Sequence, residues 1–378
     1  MTTTANPIEA VRLPDPYPVY ARLVAEDPFA YDEALRAWVA ADAAAVRKVL
    51  GSGALRVRPP AEPVPAGITG TAAGEVFGEL VRMTDGDLQR RLKVVVVDAL
   101  GRADMVRAAG LAAGFTREVL AAGGRIPYEE LMFGVPARVV AALSGLTDGA
   151  DVEAARAIGD FVQCIPASAT AEQQRAAAVA AGRLRELLRP GFRAGGTGLL
   201  GELVQAADRA SWPHMAPLLS NAVGFLSQTY DATAGLIGNT LVALARGAAV
   251  PGTAQAAEAL VREVVRHDAP IQNTRRFAAE PFAHAGSKVE PGQQVLVVLA
   301  AANRDPAVNQ EPHFLRPGRV NPVVFTFGGG AHQCPGGNLA VTLATAVVTE
   351  LLAAGLTPAE LPADPAYRPL ANARIPLI

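Results

Sequence analysis

From Met215 to Ala245 the chain runs thirty-one positions with Asp231 as its one formally charged side chain. A stretch of that length could cross a bilayer, for which about 20 apolar residues suffice. It also carries Pro217, Asn221, Gln228, Asp231 and Asn239, polar or helix-breaking groups that are costly in hydrocarbon. A helix walled by other protein can hold them in a pocket. The stretch therefore reads as a central buried helix, from Leu218 to about Ala245, in a soluble enzyme with no membrane partner. The chain has 378 residues, half of them apolar, enough to wrap such a helix.

Around that helix the pattern is mostly helical. PDPYPVYARLVAED suggests a helix after prolines, and AWVAADAAAVRKVL a short strand leading into another. Ile126 to Leu199 reads as Ala/Leu-rich helix, broken near Pro166. A helix from about Thr253 to Arg266 is stopped by the turn His267-Asp268-Ala269-Pro270. Strand character follows: RRFAAEPFAHAGSKVEPGQQVLVVLAAANRDP alternates apolar runs with Gly and Pro turns, as hairpins and a small sheet would. No linker or repeat separates these pieces, so residues 1–378 read as a single domain, mainly α with a minor β region.

Charge and cysteine usage exclude several classes. With 34 basic against 36 acidic side chains, no net field favours nucleic acid or an anionic membrane. Cys164 and Cys334 cannot build a disulfide framework. The start, MTTTANPIEAVRLPDPYPVY, lacks a basic region followed by an apolar run, so a cytoplasmic location is expected.

The chemistry concentrates in Phe327-Gly328-Gly329-Gly330-Ala331-His332-Gln333-Cys334-Pro335-Gly336. Three successive glycines suit a main chain that needs positive φ or a close neighbour, such as a flat cofactor. Cys334 precedes an apolar helix expected from Leu339 to Leu352, whose positive end would steady a thiolate. A phosphate loop would instead carry Lys with Ser or Thr at the helix start. Cys164, beside Val162 and Ile165, reads as a small buried hydrophobe.

The segment resembles the haem-binding loop of the cytochrome P450 family, F-G-x-G-x-H/R-x-C-x-G, at Phe327, Gly328, Gly330, His332, Cys334 and Gly336. The resemblance extends to Glu263-Val264-Val265-Arg266 (the family's E-x-x-R), to HDAPIQNTRRFA, to AANRDP and, imperfectly, to Pro312–Phe314. It implies the P450 fold, with a central distal helix and a cysteine-ligand loop enclosing haem b. Cys334 is then the axial thiolate on iron, Phe327 and Gly328 belong to the loop beside it, and His332 and Arg276 are donors to the haem propionates. The family's second donor pair, H-x-x-x-R, corresponds to Gln89 and Lys93; a register through Leu88 and Leu92 supplies no polar group. Glu263, Arg266 and Arg319 are the implied buried charge network, structural rather than catalytic. For Arg90 and Arg91 a solvated helix face is the preferred reading.

The family's distal A-G-x-E/D-T-T reads here Gln228-Thr229-Tyr230-Asp231-Ala232-Thr233. The acid is kept as Asp231. Ala232 stands where the hydroxyl that assists proton delivery is usual, and Thr233 lies about 100° further round the helix. Gln228 replaces a small residue and either meets substrate, water or the oxygen ligand, or bonds within its own helix.

Three enzymatic readings follow. One is hydroxylation, with a substrate hydroxyl or ordered water replacing the missing group. Another is peroxide-driven or oxidative-coupling chemistry, and the third a reaction assisted by Gln228. A haem sensor or electron-transfer protein is the reading from another class. The resemblance to soluble bacterial, class I members implies a monomeric monooxygenase fed by ferredoxin and ferredoxin reductase. Its substrate would be a moderately hydrophobic secondary metabolite, as in antibiotic biosynthesis, free or carrier-protein-bound. Pro60–Val76, Phe161–Ala171, Gln228, Ala232 and Ile271–Asn273 are the expected pocket segments.

Overall fold

The computed structural model describes residues 5–166, 168–193 and 196–378. In chain order its elements begin with α1 (Pro7–Ala10), α2 (Tyr17–Glu26), β1 (Phe29–Asp32), β2 (Ala37–Ala40), α3 (Ala43–Leu50) and β3 (Leu55–Arg56). Helices follow: α4 (Ala72–Glu79), α5 (Gly86–Gly101), α6 (Met105–Ala121), α7 (Val135–Leu143), α8 (Ala150–Val162), α9 (Ala171–Leu188), α10 (Gly198–Arg209), α11 (Met215–Ala245) and α12 (Ala254–His267). The last part holds β4 (Thr274–Ala278), β5 (Phe282–His284), β6 (Ser287–Val289), β7 (Gln294–Val297), α13 (Leu299–Asn303) and α14 (Gly337–Ala353). The chain packs as two compact units. One is residues 1–60, 232–334 and 344–378; the other is 61–231 and 335–343.

The first unit holds the sheet, in the order β1-β2-β7-β4-β3. All its pairings are antiparallel except β2 with β7, where Trp38 faces Val295 and Ala40 faces Val297. Phe29, Val46, Val49, Leu55, Val295, Val297 and Phe325 form its apolar core. A polar knot ties its chain ends together. Arg374, fully buried, donates from Nε to Asp268 Oδ1 at 2.9 Å and to the carbonyls of Val11, Leu13 and Pro14. Tyr17 Oη reaches the same Asp268 oxygen at 3.1 Å, and Arg304 lies 3.2 Å over the Tyr17 ring. Arg304 also donates to the His267 carbonyl and pairs with His267 Nδ1 at 3.1 Å, while His267 Nε2 bonds the His313 carbonyl.

The second unit is helical. Arg138 on α7 is buried between Glu118 and Asp151, each at 3.2 Å. Asn221 on α11 uses both ends of its amide: Nδ2 donates to Glu79 O and Pro217 O, and Oδ1 accepts from Val81 N–H at 3.0 Å. A π-turn, Glu130–Gly134, leads into α7, and Phe133 from it lies 5.0 Å from the Tyr230 ring.

Two details depart from the sequence reading. The central helix starts at Met215, ahead of Leu218, because Pro217 sits in its first turn, where a backbone N–H has no helical partner to lose. The Leu299–Asn303 stretch of the presumed hairpin region is helix, as its three alanines allow once the β-branched run ends at Val298. No helix among the described residues is long and apolar enough to cross a membrane.

Candidate active site

Cys334 lies in the first unit at the end of a tightly bonded loop. Gly328 N–H donates to Phe325 O at 2.7 Å, Gln333 N–H to Gly330 O at 3.1 Å, and Cys334 N–H to Phe327 O at 2.8 Å. Gly328 (φ 69°) and Gly330 (φ 62°) occupy the left-handed region, whereas Gly329 is extended. Gly330 also runs against the Leu50 carbonyl, which a Cβ there would strike. Two of the three glycines thus answer to positive φ, and one of those to close approach as well. The Cys334 thiol is exposed, while Cys164 is buried, donates to Phe161 O at 3.1 Å and has its pKa pushed up to about 11 by burial.

Behind this loop the structure brings Glu263, Arg266 and Arg319 together. Arg266 is fully buried and donates to both Glu263 oxygens, at 2.6 and 3.1 Å. Its remaining donors reach the carbonyls of Asn303, Pro312 and Phe314. Arg319 Nε and the Arg316 N–H join Glu263 Oε1 at 2.9 and 3.0 Å. Burial pushes the Glu263 carboxyl up, but the Arg266, Arg316 and Arg319 donors outweigh it and hold the group below the usual range.

Asn303, Asn309 and Thr326 complete the support, and sequence reasoning gave them no role. Asn303 Oδ1 accepts from Phe325 N–H at 2.6 Å while its Nδ2 donates to Thr326 Oγ1 at 2.7 Å. Thr326 passes a bond to Val265 O on α12, and Asn309 pairs with Val323 in both directions. These bonds suspend the segment before the cysteine loop from the Arg266 region. The AANRDP match was the available signal, since Asn303 lies within it.

Phe327 and His332 are half-buried, His332 in the short turn Gly330–His332. Arg276 is buried on β4, with Nη1 donating to Arg275 O at 2.9 Å. In the second unit, α5 buries Gln89 and half-buries Lys93, while of the alternative pair Leu88 is 41% exposed and Leu92 is fully buried. Arg90 pairs with Asp87 at the surface and Arg91 lies over Trp212.

Along α11, residues 217–227 and 233–242 are buried, but 228–232 are only half-buried. Gln228 Nε2 donates to Gly224 O at 3.0 Å, the bond within the helix that its sequence left open. Thr229 Oγ1 bonds Phe225 O at 2.7 Å, Asp231 and Ala232 are half-buried, and Thr233 is fully buried with its hydroxyl unpartnered among the described residues. Of the expected pocket segments, Ala167 lies outside the described residues. The residues present fit haem: an exposed thiol on a bonded loop, cationic side chains to meet carboxylates, and a largely buried helix whose residues 228–232 are half-buried.

A family model described as Cytochrome P450 matches residues 255–354. A Xylella fastidiosa protein named cytochrome P450 133B2 is 32% identical over 42% of this chain and 40% of its own length. The matched stretch thus spans about two fifths of that curated relative. Cytochrome P450 monooxygenase PikC of Streptomyces venezuelae is 29% identical over 89% of this chain and 83% of its own. In fold, the chain is similar to P450BioI in its complex with a fatty-acyl carrier protein, with a TM-score of 0.79, 20% identity and 96% of both chains covered. The cysteine loop, the Glu263–Arg266–Arg319 network and these relatives point the same way: residues 255–354 match the cytochrome P450 family model, and the chain is similar in fold to cytochrome P450 structures.

Proposed function

We propose that residues 1–378 act as one haem-thiolate monooxygenase domain. It places one oxygen atom from O2 into a moderately hydrophobic bacterial secondary metabolite, with electrons from ferredoxin and its reductase, in the cytoplasm and as a monomer. The observation that carries the reading is the exposed Cys334 thiol, fixed by the bond from its own N–H to Phe327 O at 2.8 Å. A thiolate so placed is the ligand type that favours O–O cleavage over simple electron transfer. When bound, haem b supplies the activation of O2, using two electrons and two protons and releasing the second oxygen atom as water.

The chain's own residues do the rest. The Cys334 sulfur ligates iron, Arg276 and His332 hold propionates, and Gln89 and Lys93 serve as the second donor pair. The Asp231 carboxylate takes up and releases the protons consumed. Ala232 offers no hydroxyl beside it, so a substrate hydroxyl or an ordered water completes the relay. PikC and the 20-oxo-5-O-mycaminosyltylactone 23-monooxygenase of Streptomyces fradiae, 32% identical over 39% of this chain, support a secondary-metabolite substrate. The acyl-carrier complex of P450BioI supports testing carrier-bound as well as free compounds.

Ala232 also favours a second reading, oxidation driven by peroxide or proceeding by radical coupling, in which timed proton delivery matters less. The reduced, carbon monoxide-treated protein should show the strongly red-shifted Soret band of thiolate ligation, and Cys334→Ser should lose it. A band surviving in that variant would remove Cys334 as the ligand. Turnover with ferredoxin and reductase set against turnover with hydrogen peroxide separates the two readings; activity only with peroxide would overturn the first.

A further inference from the structure

We propose that Gln228 forms an acceptor subsite: its side-chain oxygen receives a hydrogen bond from a hydroxyl or amide N–H of the substrate. This rests on the haem-thiolate reading and adds to it a class of substrate, one carrying a neutral donor.

The geometry fixes which end of the amide is presented. Nε2 donates to the Gly224 carbonyl one turn back, at 3.0 Å. Reversing the amide would set its oxygen against that carbonyl oxygen with no proton between them, so only one orientation is stable. Gly224 is what lets the side chain fold back. A Cβ there would lie 2.9 Å from Gln228 Nε2 and 2.8 Å from Leu80 Cδ2. Oε1 is then the end not spent inside the helix, and none of the described residues donates to it.

The surroundings favour a ligand over an internal partner. Asn221, two turns earlier on α11, satisfies both ends of its amide within the protein, and Thr229 spends its hydroxyl on Phe225 O. Gln228 instead stands where the helix stops being fully buried. A polar acceptor held rigidly at such a position discriminates strongly, because leaving it unpaired behind a bound apolar group costs more than the contact itself contributes.

The test uses the holoprotein with 4-phenylimidazole and its ortho-, meta- and para-hydroxyphenyl analogues as probes. Affinities are measured by calorimetry, and the Soret shift shows separately whether the imidazole reaches iron. At least one phenol should bind more tightly than the parent, by about 3- to 10-fold. Gln228→Leu should erase that preference and leave the parent bound at least as tightly as before, since the apolar ring no longer covers an unpaired acceptor, while Gln228→Glu, which keeps an acceptor, should retain it. An equal loss for every probe in the leucine variant, or no phenol preference in the unaltered protein, would overturn the subsite. Loss of the preference in the glutamate variant as well would assign the contact to Nε2 and overturn the acceptor role. Absence of any Soret shift in the unaltered protein would instead sink the haem reading, and the subsite with it.

Discussion

Glu263 receives four hydrogen bonds, two of them from Arg266. Removing a partner from such a site strands a buried charge, which costs about 3–5 kcal/mol. Arg266→Ala should therefore lower the urea midpoint and the fraction of haem retained. Arg319→Ala, which deletes one charge-assisted bond at the edge of the network, should cost about 1.5–3 kcal/mol. Equal effects of the two would contradict the hierarchy seen in the structure. His267 has the opposite pH logic to a paired histidine. Burial, then the nearby Arg304 charge, pushes its pKa from 6.5 down to about 4, so the folded state holds the ring neutral. Its contribution is present above the unfolded pKa of about 6.5 and is lost as pH falls toward 4. His267→Gln should flatten stability against pH in that window, as read from urea midpoints. At this scale the E-x-x-R pair was legible because three positions along a helix share a face. Asn303 and Asn309 were not, since their partners Phe325 and Val323 lie in another segment.

The cysteine loop makes a sharper demand on one glycine than on its neighbour. Gly328 and Gly330 both have positive φ, but only at Gly330 would an added Cβ meet the Leu50 backbone. Gly328→Ala should cost about 1 kcal/mol and leave most molecules loaded with haem. Gly330→Ala must displace either the loop or the end of α3, so its holoprotein yield should fall much further; similar yields would show that the loop yields easily. The sequence carried the need for these glycines, though not which of them met a neighbour. The long helix was legible from its lack of charge, and its polar residues proved informative: Asn221 and Asn239 both bond backbone carbonyls of other segments. The reading of Leu299–Asn303 as part of the sheet failed because an apolar run of that length has no distinctive period.

For the molecule as a whole, long-range closure is the dominant feature, and the one least visible in the sequence. Trp38 Nε1 bonds Gln293 Oε1 255 positions away, beside the parallel pairing of β2 with β7. No local pattern specifies such a partner, so sheet order had to come from the structure. Arg374 spans further, reaching Val11 across 363 positions. Arg374→Met should strand Asp268 and cost about 3–5 kcal/mol. Arg374→Lys should recover only part of that, because one ammonium cannot fork to Asp268 and three carbonyls; recovery to full stability in urea melts would sink this account. The same closure matters during synthesis on the ribosome. Residues 61–231 emerge as one run and belong to the second unit, whereas residues 1–60 belong with 232–334 and 344–378. At about 5–20 residues per second, β2 waits roughly ten to fifty seconds for β7 to be made. Throughout that interval the nascent amino-terminal strands keep an unpaired edge, which makes their protection by chaperones, or their aggregation, a question decided before the chain is released.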